Sequence, residues 1–117
     1  MTDIAQLDAE LNQLIRQGKA LEAFEKFYAE EIVMIENDQA TEGKAANRER
    51  EQQFFGSIQE VHDASIGPSA VSGDTSFCQQ FFDATFKDGN RVKMDEVSVR
   101  TWKDGKVVRE RFFYKGQ

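Results

Sequence analysis

The groups able to do chemistry in this chain are mostly carboxylic acids. It carries 21 Asp and Glu against 15 Lys and Arg, with one His, one Cys and two Tyr among its 117 residues. A lone Cys78 excludes an internal disulfide and a cysteine-based zinc site, and a lone His62 excludes a multi-histidine metal site within one chain. His62 and Asp63 sit side by side in a strand pattern, so their side chains point to opposite faces and form no dyad. His62 reads as structural or exposed, with a pocket acid/base as the alternative. Cys78 reads as a small buried apolar residue. The segment Thr41-Glu42-Gly43-Lys44 lacks the Lys-Ser/Thr pair of a phosphate loop. Strand alternation groups Lys93, Asp95, Val97, Val99 and Thr101 on one face, and Met94, Glu96, Ser98, Arg100 and Trp102 on the other. If Asp95 faces inward, so does the rest of the first face, and its two valines support that direction. An enclosed Asp95 would lose hydration, rise in pKa and exchange a proton near neutral pH. Otherwise Asp95 is a solvated carboxylate, or one paired with Lys93 or Arg91. In the last strand pattern Val108, Glu110, Phe112 and Tyr114 share one face, and Val107, Arg109, Arg111 and Phe113 share the other.

Positioning such groups requires a fold, and the composition supports one. Hydrophobic residues make up 39% and include ten Phe, enough for the core of a single domain over residues 1–117. Ile4, Leu7, Leu11, Leu14 and Ile15 form a helical stripe, with Thr2 as a cap and Gly18 as a stop. Ala20, Leu21, Phe24, Phe27 and Tyr28 mark a second helix, and Ile32 to Ile35 a short buried strand. Asn37 to Gly43 reads as a loop. Lys44 to Phe55 is rich in helix formers, and its Arg48-Glu49-Arg50-Glu51 stretch reads as a solvated face. After Gly56 the pattern turns to strands: Ile58 to Ile66, Thr75 to Phe86, Arg91 to Trp102 and Lys106 to Tyr114. The Asp88-Gly89 and Asp104-Gly105 turns are hairpin signals. Pro68 marks an edge, a bulge or a break. Long antiparallel strands twist and, with bulges, curl. Helices across the concave side of such a sheet enclose a pocket, an α+β roll.

This order of elements resembles the NTF2-like superfamily, in particular its SnoaL-like and ketosteroid-isomerase-like branch. The local pieces that carry the resemblance are Phe27-Tyr28-Ala29-Glu30-Glu31-Ile32-Val33-Met34-Ile35-Glu36 and Trp102-Lys103-Asp104-Gly105-Lys106-Val107-Val108. The resemblance implies a cone-shaped roll with N-terminal helices packed on a curved antiparallel sheet. It also implies a carboxylate base at the end of the first strand, here Glu36. A second, protonated carboxyl is implied on the penultimate long strand, here Asp95. The helix tyrosine of the isomerases has no counterpart near Leu11 and Asn12, which departs from a strict steroid isomerase. The matching terminal hairpin places Glu110, Phe112 and Tyr114 inside. Tyr114 is then a substitute pocket hydroxyl, or a chain-end core aromatic. Glu110 is a third enclosed acid, or an ion-pair partner of Arg91, Lys93 or Arg100. Phe24, Tyr28, Phe54, Val97, Val99, Glu110 and Phe112 would form the ligand wall, although such aromatics also read as plain core. The family fold hosts many unrelated activities.

Two functions stay open. One is a small-molecule enzyme of isomerase, cyclase or hydrolase type, working by acid/base chemistry without metal or redox cofactor. The other is a non-catalytic ligand-binding or dimeric assembly module. A net charge of −6 argues against a nucleic-acid partner. No apolar run reaches the ~20 residues that span a bilayer, and an acidic N-terminus without a signal pattern makes the cytoplasm the default expectation. Phe77 and Phe81 on one strand face, and Phe82 and Phe86 on the other, predict a sheet covered on both sides. A homodimer through the outer sheet face would supply the second cover, and the resemblance implies the same.

Overall fold

A computed structural model describes residues 3–114. The element order is α1 (Ile4–Arg16), α2 (Ala20–Phe27), β1 (Tyr28–Glu36), β2 (Gln39–Glu42), α3 (Lys44–Gly56), β3 (Ile58–Ser72), β4 (Thr75–Phe86), β5 (Arg91–Lys103) and β6 (Lys106–Tyr114). The six strands form one sheet in the order β2-β1-β6-β5-β4-β3, antiparallel except for the parallel β1–β6 pair. Helices pack on one face of it: α1 against β3 and β4, α2 against β1, and α3 against β1 and β2. This is an α+β roll. Among the described residues no helix is long and apolar enough to cross a membrane.

Local sequence accounts for the joints. The Asp3 carboxylate caps α1 by accepting from the Gln6 amide at 3.2 Å; Thr2, the expected cap, lies outside the described residues. Gly18 takes a left-handed backbone (φ 78°) and reverses the chain into α2. The stretch expected as a loop after β1 instead turns tightly at Asn37 (φ 55°) and pairs back as β2. The Asn47 carboxamide donates to the Thr41 and Gly43 carbonyls at 2.9 and 2.8 Å, which ties the start of α3 to β2. Arg48 grips Glu25 with two hydrogen bonds and links α3 to α2.

The edge strand β3 runs through Gly67-Pro68 rather than ending at Ile66. Its register with β4 slips between Ile66 and Ser69, so Pro68 sits at an irregularity on the edge, where a missing N–H costs no ladder bond. The hydrophobic core gathers Leu11, Phe24, Phe27, Tyr28, Ile32, Met34, Trp102 and Val107, where α1 and α2 meet β1 and the β5–β6 hairpin.

One expectation is reversed. The inner face of β5 is Met94, Glu96, Ser98, Arg100 and Trp102, while Asp95 and Val97 are exposed on the outer face and Val99 is half-buried there. The reason lies in pairing. Arg100 stands directly opposite Glu110 on β6, and it also meets Asp8 and Asn12 of α1 only when that pair points inward. Burial of Trp102 on the same face adds to that choice. On β6 Glu110, Phe112 and Tyr114 do face inward. Near the hairpin a register shift between Thr101 and Trp102 breaks the alternation, so Val107 is fully buried and Val108 only half-buried.

Candidate functional site

Between the helices and the inner sheet face lies a cavity of about 530 Å³. Strand register orders the inner sheet face beneath it into rows. Ala64, Phe82 and Met94 form an apolar row; Ile66, Gln80, Glu96 and Tyr114 form the next. Cys78, Ser98, Phe112 and Glu36 follow, and then Ser76, Arg100, Glu110 and Met34. Across the floor α3 contributes Asn47, Glu51 and Phe54, three residues at helical spacing on one face, with Arg50 beside them.

The last row is sealed by a buried polar network. Arg100, 1% exposed, donates through Nη1 to Asp8 at 2.7 Å and to Asn12 at 2.8 Å, and through Nε to Glu110 at 3.0 Å. The hydroxyls of Tyr28 and Ser98 also donate to Glu110. Ser76 donates to Asp8 at 2.8 Å and accepts from the Trp102 indole at 2.9 Å. Burial opposes the charge of Arg100, but Glu110 and its other neighbours more than offset this and hold the guanidinium firmly protonated. Burial, reinforced by Glu110, pushes the Tyr28 phenol well above its ordinary pKa, so it remains a donor. Burial likewise raises the Cys78 thiol and keeps it unreactive.

The other acids of the cavity are placed differently. At the rim Glu36 accepts from Arg50 at 3.1 Å, and Arg50 also donates to the Thr41 hydroxyl at 2.7 Å. The Tyr114 hydroxyl accepts from Asn37 at 3.1 Å, which leaves its own proton available. Glu51 and Glu96 have no hydrogen bond or ion pair among the described residues. Burial pushes both to about 7, helped by repulsion from Glu36 and Glu110, and for Glu51 also from Glu96. Arg50 pulls Glu51 the other way without cancelling the effect. Two carboxyl groups thus exchange protons near neutral pH in a largely apolar cavity. Among the described residues no three His, Cys, Asp or Glu side chains converge closely enough to hold a metal ion.

Of the residues expected from sequence, Glu36, Tyr114, Phe24, Tyr28, Phe54, Glu110 and Phe112 all line the cavity. Asp95, Val97 and Val99 do not; the Asp95 carboxylate accepts from Gln79 at 3.2 Å on the outer face. Glu96, Glu51, Arg50 and Arg100 line it without having been expected there. The alternating charges from Arg48 to Glu51 had read as a solvated face, but their phase sets Glu51 in line with Asn47 and Phe54. His62 meets the Thr85 hydroxyl at 2.7 Å and takes no part in the cavity.

A family model described as a SnoaL-like domain matches residues 2–114. A solved structure from Mesorhizobium loti, provisionally named a SnoaL-like polyketide cyclase, is 36% identical. It matches with a TM-score of 0.88 over 97% of this chain and 100% of that one. An NTF2-like protein of unknown function from Burkholderia pseudomallei shares the fold at 14% identity and a TM-score of 0.81, over 98% of this chain and 92% of that one. A second provisional SnoaL-like polyketide cyclase, from Jannaschia sp. CCS1, does so at 18% identity and a TM-score of 0.77, over 94% and 86%. No curated protein matches the chain. With a family model spanning nearly its whole length and a relative more than one-third identical along its entire chain, this protein belongs to the SnoaL-like family.

Proposed function

We propose that the chain binds a small, partly apolar molecule in the cavity and moves a proton on it, in a reaction of isomerase, cyclase or hydrolase type. The observation that carries this reading is the pair Glu51 and Glu96, two unpartnered carboxyl groups facing an apolar cavity and titrating at about 7. Such a pair can keep one group ionised as a base while the other, still protonated, donates to oxygen as negative charge develops. Glu96 thereby takes the part expected of its strand neighbour Asp95. Glu36, held by Arg50 at the rim, adds negative potential that favours proton uptake by both.

The test is exchange of α-C–H protons for deuterium in D2O, followed by NMR over a panel of aryl and polycyclic ketones. The expected result is exchange by the wild type that falls on the order of 10²–10⁴-fold in Glu96→Gln. Wild-type rates in both Glu96→Gln and Glu51→Gln would rule out the acid/base reading. Ligand binding without any exchange would favour the second reading, a non-catalytic binding module. That reading draws support from Glu36 and Glu110, which already have arginine partners.

The proposal includes a homodimer through the outer sheet face. Phe77, Val97 and Phe113 are 37%, 41% and 49% exposed there. Register sets Phe77 opposite Val99 and Val97 opposite Phe113, so the four side chains form one apolar patch across β4, β5 and β6. A two-fold partner presenting the same patch would cover it. Sedimentation equilibrium should give a dimer for the wild type and a monomer for Val97→Glu/Phe113→Glu. A monomeric wild type at tens of micromolar would dismiss the dimer.

A further inference from the structure

Among the described residues the charge around the cavity is unbalanced: four carboxyl groups line it, Glu36, Glu51, Glu96 and Glu110, against two guanidinium groups, Arg50 and Arg100. Arg100 is divided between Glu110 and a further acid, Asp8, with its Nη2 left without a hydrogen-bond partner, while Arg50 is spent on Glu36. Nothing among the described residues neutralises Glu51 or Glu96. They approach from opposite walls, Glu51 from α3 and Glu96 from β5, at the end of the cavity bordered by Glu36 and Tyr114. Phe54, packed on Phe82 at 5.9 Å between ring centres, supplies an aromatic wall beside them, and Gln80 and Tyr114 flank Glu96 in its row.

We propose, resting on the reading of the cavity as a ligand site, that its occupant carries a positively charged nitrogen on an apolar body. The ammonium head sits among Glu36, Glu51 and Glu96, and the body lies along Phe54, Phe82 and Phe112. Three arguments select this class. An anion would meet an excess of carboxylates in a poorly hydrated site, where repulsion is weakly screened. A metal ion would need three or more donors converging on one point, and the described acids do not converge. An organic cation needs no convergence. It is stabilised by diffuse negative potential together with ring faces, which attract cations through their quadrupoles. Entry of the cation supplies part of the charge that Glu51 and Glu96 lack, so binding favours ionisation of one of the pair and releases a proton, while the other keeps its own.

The experiment uses three probes with one body: 4-phenylbutylamine, 4-phenylbutanol and 4-phenylbutyrate, titrated calorimetrically into the wild type at pH 8 and pH 5.5. The amine should bind at least tenfold more tightly than the alcohol at pH 8, and the butyrate most weakly. The preference for the amine should shrink severalfold at pH 5.5, where Glu51 and Glu96 hold protons while Arg50 and Arg100 stay charged. Glu51→Gln/Glu96→Gln should abolish the preference yet still bind the alcohol, which also shows that its cavity is intact. Equal binding of amine and alcohol, or tightest binding of the butyrate, would overturn the cationic assignment and leave the cavity a ligand site. Failure of all three probes to bind would overturn both.

Discussion

Arg100→Met should lower the unfolding free energy by about 3–5 kcal/mol, a large share of the 5–15 kcal/mol typical of a domain. The substitution keeps roughly the volume of the side chain but removes the cation between Asp8 and Glu110, both almost wholly buried. Two acids are then left in low dielectric with only neutral donors: Asn12 and Ser76 for Asp8, Tyr28 and Ser98 for Glu110. The loss also reaches the tertiary arrangement. Asp8 and Asn12 belong to α1 and Arg100 to β5, so the network is what fixes the first helix over the sheet at this end. The contrast is Arg91, which pairs with Asp83 at 2.8 Å but is half-exposed and screened by water, so that Arg91→Met should cost clearly less. Urea unfolding of the three proteins at pH 7 checks both. A cost below about 1 kcal/mol for Arg100→Met would mean that the ion pairs contribute nothing beyond what apolar packing replaces. If the larger cost is found, adding Asp8→Asn and Glu110→Gln to Arg100→Met should recover part of it by discharging the abandoned acids.

The same network explains which parts of the molecule could be read from residues alone. The α1 and α2 stripes, the Asp-Gly hairpins and the change from helical to strand patterning after Gly56 depend on local periodicity and turn chemistry, and the elements follow them closely. The direction of β5 was not legible by the usual rule that apolar residues point inward. Val97 and Val99 are on the outside because the interior at that strand is built from charge, Arg100 against Glu110 and Asp8. The useful signals were Trp102, which shares a face with Glu96 and Arg100, and the charge complementarity of Arg100 with Glu110 across the β5–β6 hairpin. Asp8 was hidden for a related reason: an acid within an otherwise apolar helical stripe reads as an interruption until the guanidinium it meets, 92 residues away, is known. The lining of the cavity was legible in part. Glu36, Glu110, Phe112 and Tyr114 followed from strand position and resemblance. Glu51 depended on the phase of α3 against the sheet, which its weak apolar face does not set; Asn47, tied to β2, sets it instead.

Glu51→Gln/Glu96→Gln should be more stable than the wild type at pH 8 by roughly 2–4 kcal/mol, and no more stable at pH 4. In the folded chain both groups hold their protons up to about 7, whereas in the unfolded chain they release them near the ordinary 4.5. Between those values the native state binds more protons than the unfolded one. The wild type therefore loses stability as pH climbs from 4.5 to 7, and the penalty is complete above 7. Glutamine cannot ionise, so the variant should lack that decline. Every other titrating group is common to both proteins, and the difference between their stability curves isolates these two. Each group could contribute on the order of 2 kcal/mol, but their contributions are coupled, because Glu96 itself helps raise Glu51. Glu36→Gln offers an independent check, since removing that charge should lower both transitions without touching either group. The measurement is urea unfolding in half-unit steps from pH 4 to pH 8. Parallel curves for wild type and double variant would show that Glu51 and Glu96 are ordinary hydrated acids, leaving neither a proton near neutral pH nor uncompensated charge for a ligand to meet.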